Sequence, residues 1–296
     1  MSSSVLSPIS SESRSNLAST WLKRFKPAIW LAPFALFFYL FQLAPMIWVL
    51  LNSFIYDGEF AFDNYIEVLD SAFMMQAFGN SLWLAVWSSI FGLAIATLLV
   101  SSLRRVDSKV RDGVIAFTNM SSNFAGVPLS FAFIIILGTN GAITLLLKQY
   151  GLLGDFDLYG KWGLLAIYIY FQIPLAVLLL YPAFDALSDD WQAAAALLGA
   201  KTSQYWAKIA LPVLSPALFG TFIILIANAI GAYASVYALT SGNYNVITIR
   251  IASLVSGDLF LEPNLATAIS VVLMVLLAFI TLINQWLISK SYAGRK

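Results

Sequence analysis

The 296-residue chain contains no cysteine and no histidine. Without cysteine there is no disulfide framework, thiolate metal site or cysteine nucleophile. Without histidine the commonest metal ligand is missing, and so is the usual general base near neutral pH. Charge is scarce too. Asp, Glu, Lys and Arg make up 10% of the chain, against about 25% in an ordinary soluble domain. Hydrophobic residues account for 60%, and the mean hydropathy is +0.83. Such a composition excludes a water-facing globule, a disordered chain and a nucleic-acid binder, leaving an all-α polytopic membrane protein. The net charge of +1 carries no information about partners; where the charges sit does.

A membrane helix needs about 20 mostly apolar residues to cross a hydrocarbon core of ~30 Å. Six stretches qualify: Ala28–Asn52, Gly79–Leu103, Val114–Gly138, Trp162–Phe184, Val213–Ser235 and Ala266–Ser289. None of them contains Lys, Arg, Asp or Glu. The third is the weakest, because Thr118–Asn123 and Gly126-Val127-Pro128 interrupt it. Of the 16 basic residues, only Lys148, Lys161 and Arg250 fall in the first, third and fifth connections. The first connection has no base and carries Asp57, Glu59, Asp63, Glu67 and Asp70. By the positive-inside rule both termini and the second and fourth connections are cytoplasmic. Residues 1–27, rich in serine, are expected to form a disordered cytoplasmic tail, and residues 290–296 a second tail. The first apolar stretch exceeds a signal-peptide h-region and lacks a clear cleavage site, so residues 28–52 are expected to remain as a membrane helix.

The fourth connection, residues 185–212, is longer than a bundle turn requires and has its own helical grammar. Ser188 is placed to cap a helix, with Asp189 and Asp190 in its first turn where the macrodipole favours negative charge. Ala193-Ala194-Ala195-Ala196-Leu197-Leu198 continues that helix, and Gly199 supplies a stop. Thr202 or Ser203 then caps a second short helix, which Pro212 breaks or kinks as the chain re-enters the membrane. The slim alanine cylinder, flanked by Trp191, Tyr205 and Trp206, suits insertion into a groove on another protein. An interfacial helix pair lying on lipid headgroups fits the same residues.

From Ala193 to Pro212 the chain resembles the cytoplasmic-loop signature of permease subunits of binding-protein-dependent type I ABC importers. That signature is Glu-Ala-Ala, three residues, Gly, nine residues, Ile, one residue, Leu-Pro. Here it reads Ala193-Ala194-Ala195, Gly199, Ile209-Ala210-Leu211-Pro212 at the same spacing. The departure is Ala193, where the family usually has Glu. The resemblance implies a type I permease fold over residues 76–289, with residues 185–212 as the ATPase-coupling loop supported by Asp189, Asp190, Tyr205 and Trp206. It also implies two cytosolic ATPase subunits that bind ATP and Mg, a second permease subunit and an extracytoplasmic solute-binding protein. The location implied is the plasma membrane, meaning the inner membrane in a Gram-negative source. No cofactor, metal or catalytic residue is expected on this chain. Ala193 cannot make the family's ion pair, so either Asp189 or Asp190 substitutes for it, or a second, different permease carries the heavier coupling. Asn123-Phe124-Ala125-Gly126-Val127-Pro128, Gly231-Ala232-Tyr233 and Leu239-Thr240-Ser241-Gly242 resemble stretches of the polyamine, phosphonate and ferric-iron permeases.

The charge-free spans contain no proton relay and no voltage-sensing arginine, so any energy for pumping comes from outside the chain. A standalone carrier or channel is the rival reading. An intramembrane enzyme would lack a base for its serine. Gly126 and Pro128 are placed to open the third helix toward a cavity. Ser121, Ser122, Asn123, Gln172, Asn228 and Tyr233 are the polar candidates for its lining, unless they serve as helix-to-helix hydrogen bonds. The acidic first connection either meets a basic partner or solute or is simply solvated. Residues Ala142–Gln149 form either an outer amphipathic helix or a plain connector.

Overall fold

Length and apolarity sort the helices first. The computed structural model describes residues 31–151, 157–256 and 261–293. The serine-rich 1–27 segment, the first residues of the first span and residues 294–296 lie outside the described residues. Among the described residues six stretches are long and apolar enough to cross a membrane: Leu31–Asn52, Ala72–Leu103, Val127–Gln149, Lys161–Phe184, Thr202–Ile230 and Pro263–Ile283. The number matches the expectation, and the protein is a multi-pass membrane protein of the all-α class. Residues 1–52 and 53–296 are separate units. In the first, α1 (Leu31–Asn52) has a π turn at Tyr39–Leu43, just before Pro45. Proline has no N–H and its ring crowds a preceding carbonyl, and a widened turn relieves both.

The second unit opens with a hairpin, β1 (Ile55–Tyr56) against β2 (Glu59–Phe60), then α2 (Asp63–Asp70). Next come α3 (Ala72–Leu103), α4 (Ser108–Ser122), α5 (Val127–Leu137), α6 (Ala142–Gln149) and α7 (Lys161–Phe184). After α7 come α8 (Asp189–Leu197), α9 (Thr202–Ile230), α10 (Tyr233–Thr240), α11 (Ile247–Ser256) and α12 (Pro263–Ala293). Three of these, α3, α7 and α9, pack on one another as the centre of the unit.

The reason for that packing is legible in α3, whose buried face is mostly small: Ala77, Ser81, Ala85, Ser88, Ser89, Gly92 and Ala96. Lipid chains are as apolar as leucine, so membrane helices associate through close backbone approach and shared hydrogen bonds. Gly92 marks the tightest point, since a Cβ there would lie 2.8 Å from the Cβ of Gln172 on α7. Gln172, fully buried, donates through Nε2 to the Leu225 carbonyl of α9 at 2.7 Å and to Ser89 Oγ at 3.3 Å. Asn228 Nδ2 donates to Gln172 Oε1 at 3.2 Å. Around this node lie two apolar clusters. One contains Leu84, Leu129, Leu164, Ile167, Ile230 and Ile247, and the other Val100, Val177, Leu180, Phe184, Leu187 and Leu214.

Several expected boundaries move. The third span runs Val127–Gln149 instead of Val114–Gly138. Its expected first half is the separate, charge-bearing α4, because the chain unwinds at Asn123–Gly126, where Gly126 has φ +73°. The fifth span stops at Ile230, not Ser235; Gly231 and Ala232 interrupt it and α10 starts at Tyr233. The last helix continues to Ala293, so the expected 290–296 tail begins as helix. Residues Ala142–Gln149 are helical, as one of the two readings had it. At one end of α3 and α7, Lys161 Nζ sits 3.8 Å over the Trp83 ring, and Trp83 meets Trp162 edge-on. A snorkelling lysine and two indoles suit a membrane interface.

Glycine substitutions in the helices are expected to change stability with opposite signs. Gly92→Ala overpacks the α3–α7 contact and lowers stability by about 1–3 kcal/mol. Gly220→Ala, in α9 with nothing within 4 Å of the added methyl, raises it by roughly 0.5–1 kcal/mol. Thermal unfolding of the two detergent-solubilised variants, followed by size-exclusion chromatography, checks the pair.

Candidate functional site

The connection between α7 and α9 folds as an elbow, and each of its corners has a local cause. Ser188 Oγ accepts from the Asp190 amide at 3.3 Å and starts α8. At its other end the Gly199 amide donates to the Ala196 carbonyl at 2.9 Å and the Ala200 amide to the Ala195 carbonyl at 3.0 Å. These two bonds define a Schellman stop, which needs a left-handed residue; Gly199 supplies φ +78°. The next helix was expected to start on a Thr202 or Ser203 cap. Instead Thr202 is its first residue, and Gln204 Oε1 accepts from the Lys201 amide at 2.8 Å.

Pro212 does not break that helix. Residues Trp206–Ala210 form a π turn, and α9 continues through Pro212 to Ile230. The wider turn accommodates the missing N–H and the ring at Pro212, so the helix passes the proline without breaking. The second arm of the elbow is therefore the start of a membrane helix.

Burial divides the motif residues. Ala195 and Tyr205 are buried, and Ile209 is half-buried against the same cluster. Tyr205 was expected as a contact for a partner, but it faces inward, edge-on to Trp206, which also meets Phe184. Ala193, Ala194, Gly199, Leu211 and Pro212 are exposed, as is the Asp190 side chain. At the tip, Leu197 and Leu198 are 90% and 88% exposed. Sequence reasoning passed over these two leucines as helix formers. Their position just before a left-handed glycine is the signal that could have singled them out. Arg104 Nη2, at the end of α3, donates to the Leu187 carbonyl at 2.6 Å and ties the elbow to the bundle.

A second feature lies where the two backbone interruptions meet. A cavity of about 390 Å³ is lined by Ala125, Gly126, Phe171, Asn228, Tyr233 and Ser235, with Gly231, Ala232 and Ala234 completing it. None of these lining residues is charged. Tyr168 donates to the Ala232 carbonyl at 3.3 Å and Ser130 Oγ to the Ser235 carbonyl at 2.9 Å, supplying partners to the interrupted backbone. Of the sequence candidates, Gly126, Asn228 and Tyr233 line this cavity. Gln172 sits behind Asn228 as its hydrogen-bond acceptor. Ser121 belongs to a different, apolar cavity beside Phe117 and Pro174. Ser122 and Asn123 bond back to the Asn119 carbonyl, and Pro128 lies in the first turn of α5. None of these four lines the cavity at the interruptions: Ser122 and Asn123 use their side chains within their own helix end, and Ser121 faces the other cavity.

Beyond the cavity, the α10–α11 turn is sewn to α3. Asn245 Nδ2 donates to the Phe73 carbonyl at 2.9 Å and to Gln76 Oε1 at 3.0 Å, and Asn80 Nδ2 donates to the Asn245 carbonyl at 2.9 Å. Ser241 and Gly242 close α10 with φ of 51° and 80°. Arg250 lies over the Phe73 ring, and burial pulls its pKa below the ordinary value.

Comparison with known proteins fits this geometry. Residues 100–291 match the model of the binding-protein-dependent transport system inner membrane component family. The chain belongs to this family. Among relatives, the ferric transport system permease protein FbpB of Actinobacillus pleuropneumoniae is 25% identical over 87% of this chain and 37% of its own length. The thiamine transport system permease protein ThiP of Escherichia coli is 22% identical over 78% of this chain and 43% of its own length. The chain therefore spans less than half the length of those two relatives. It covers 92% of the trehalose transport system permease protein SugB of Mycobacterium tuberculosis, at 20% identity over 86% of this chain. A solved bacterial ABC transporter involved in alginate import shares the fold, with TM-score 0.76 and 20% identity over 93% of this chain and 99% of the other.

Gly199 offers a test free of steric confusion, because nothing lies within 4 Å of a Cβ placed there. The cost of substitution is backbone strain alone, about 1–2 kcal/mol for a left-handed non-glycine residue and least for Asn. Protease protection of the elbow in membranes is expected to fall in the order Gly, Asn, Ala, Val at position 199.

Proposed function

We propose that the chain is a permease subunit of an ATP-driven ABC importer and forms half of a path for a small solute. In this reading the termini and the elbow face the cytoplasm, the elbow is the coupling handle, and the membrane is the plasma membrane. Two ATPase subunits, which bind ATP and Mg, dock on this elbow and on that of a second permease. An extracytoplasmic binding protein delivers the solute to the opposite side. The observation that carries this reading is the Leu197–Leu198 tip. Two adjacent leucines held almost fully in water by a Schellman stop leave apolar surface that a partner would bury.

The arrangement of the elbow supports a mechanical role. Tyr205 and Ala195 fix its inner side in the core, and its second arm runs unbroken into α9, which ends at the interruption beside the cavity. Movement imposed on the tip by a partner then reaches the cavity along a rigid rod of 29 residues, about 43 Å long. The lack of charge among the lining residues suits brief occupancy, with selectivity residing in the binding protein. Related systems support the partners: a solved alginate transporter of like fold is in complex with a pentasaccharide-bound periplasmic protein. Ala193 lacks the carboxylate usual in the signature, which favours a heterodimer with a second, different permease. Asp190, exposed one turn earlier, is the candidate for the missing charge.

The test is reconstitution with the ATPase, the second permease and the binding protein. Leu198→Asp is expected to abolish solute-stimulated ATP hydrolysis while the protein still inserts and purifies. Asp190→Lys is expected to lower stimulation several-fold, consistent with about 1–2 kcal/mol for an interfacial ion pair. Accumulation of solute by the chain alone in liposomes, without ATP, would overturn the reading in favour of a standalone carrier.

A further inference from the structure

A cavity of about 600 Å³ opens at the root of the elbow, between the end of α3 and the start of α9. Its α3 wall is Thr97, Leu98, Ser101, Ser102 and Arg105, residues that share one helical face. Its other wall is Trp206 and Leu211. In an α-helix, residues five apart diverge by about 140°. Here the π turn closes a Leu211 amide to Trp206 carbonyl bond and brings both side chains to one face. The bulge that absorbs Pro212 thus also builds this groove, and π turns often mark functional positions.

The chemistry of the walls is divided by depth. Leu98 and Leu211 are apolar, and the hydroxyls of Thr97, Ser101 and Ser102 already donate to the carbonyls of Leu93 and Leu98. The donors left over are at the rim. Arg105 is exposed and makes no hydrogen bond or ion pair among the described residues, and the Trp206 indole N–H has no partner there either. The level is that of a membrane interface: α3 leaves its apolar run at Leu103 and meets Arg104 and Arg105. Lys208 lies one turn before the apolar part of α9.

We propose that this groove is a binding site for one phospholipid with an anionic headgroup. The phosphodiester oxygens accept from the Arg105 guanidinium and the Trp206 indole, and the upper acyl chain lies along Leu98 and Leu211. A guanidinium offers several donors to phosphate oxygens and an indole favours the interface, so the pair suits a headgroup. Free phosphate satisfies the rim but leaves the apolar walls bare. A zwitterionic lipid adds a cation beside Arg105. The site is distinct from the solute cavity and from the Leu197–Leu198 tip.

The probe is phosphatidylglycerol carrying a photoreactive group in its upper acyl chain, presented in phosphatidylcholine nanodiscs that hold the full chain with its co-purifying subunits. Crosslinks located by mass spectrometry are expected in residues 97–105 and 206–211. Arg105→Gln is expected to lower them roughly fivefold, the worth of one basic residue at an anionic surface. Trp206→Phe is expected to lower them less, and Lys109→Gln, outside the groove, not at all. Equal labelling of Arg105→Gln, or equal labelling by a phosphatidylcholine probe, overturns the proposal. Full displacement by inorganic phosphate reassigns the rim to a free anion. Absence of label from both segments shows that another subunit covers the groove, and overturns the proposal as well.

Discussion

One buried amide sets the register of the bundle. Gln172 uses both kinds of hydrogen-bonding atom: its nitrogen reaches α3 and α9, and its oxygen receives Asn228. At mid-membrane no water replaces a lost partner, so sliding any of the three helices by a turn strands a polar group in hydrocarbon. The energy of each such bond in a membrane is modest, about 0.6 kcal/mol on average. Its geometric effect is larger, because Gly92 lets α3 and α7 approach to where only one alignment satisfies the amide.

On either side of that node the structure does different things. Toward the elbow, α3, α7 and α9 are continuous, and their side chains mesh in an apolar cluster that includes Phe184, Leu187, Tyr205 and Leu214. Away from it, the breaks at Asn123–Gly126 and at Gly231–Ala232 border the same cavity. Interrupted backbone at membrane depth is tolerated where it is buried in protein or lines a cavity. Asn228 belongs to both regions, since it bonds to the node and lines the cavity.

Much of this was readable from residue types. Apolar length alone located the spans, and the fourth, which has both a charged start and a polar end, matched to within a residue. Gly199 was legible because only one kind of residue adopts a left-handed stop without strain, and Ser188 because its side chain caps a helix followed by two acids. The third span was misplaced by a different cause. Residues 114–122 are apolar enough to pass for a membrane segment, yet Gly126 and the Pro128 ring let the chain restart there, and hydropathy has no term for that choice. Pro212 was read as a break or a kink because the rule for proline assumes α-geometry around it; the π turn lets the helix continue unbroken. Burial was least legible. Tyr205 and Trp206 are neighbours of similar character, and only the tertiary packing leaves the first enclosed in the apolar cluster and the second between that cluster and a groove.

The π turn explains why the elbow is joined to its membrane helix without a hinge. A flexible connection at Pro212 would let the tip move while α9 stayed still, and work done on the tip would dissipate locally. A bulge keeps the backbone hydrogen-bonded in i to i+5 fashion, so the helix continues while proline is accommodated. At the widened turn Trp206 borders the groove while still meeting Phe184, and Tyr205 is enclosed in the core. Continuity at this point and interruption at Gly231 are complementary: from Thr202 the helix runs without a break until it reaches the cavity. In the proposed importer, access is therefore decided where the helix is broken, and force is applied where it is whole.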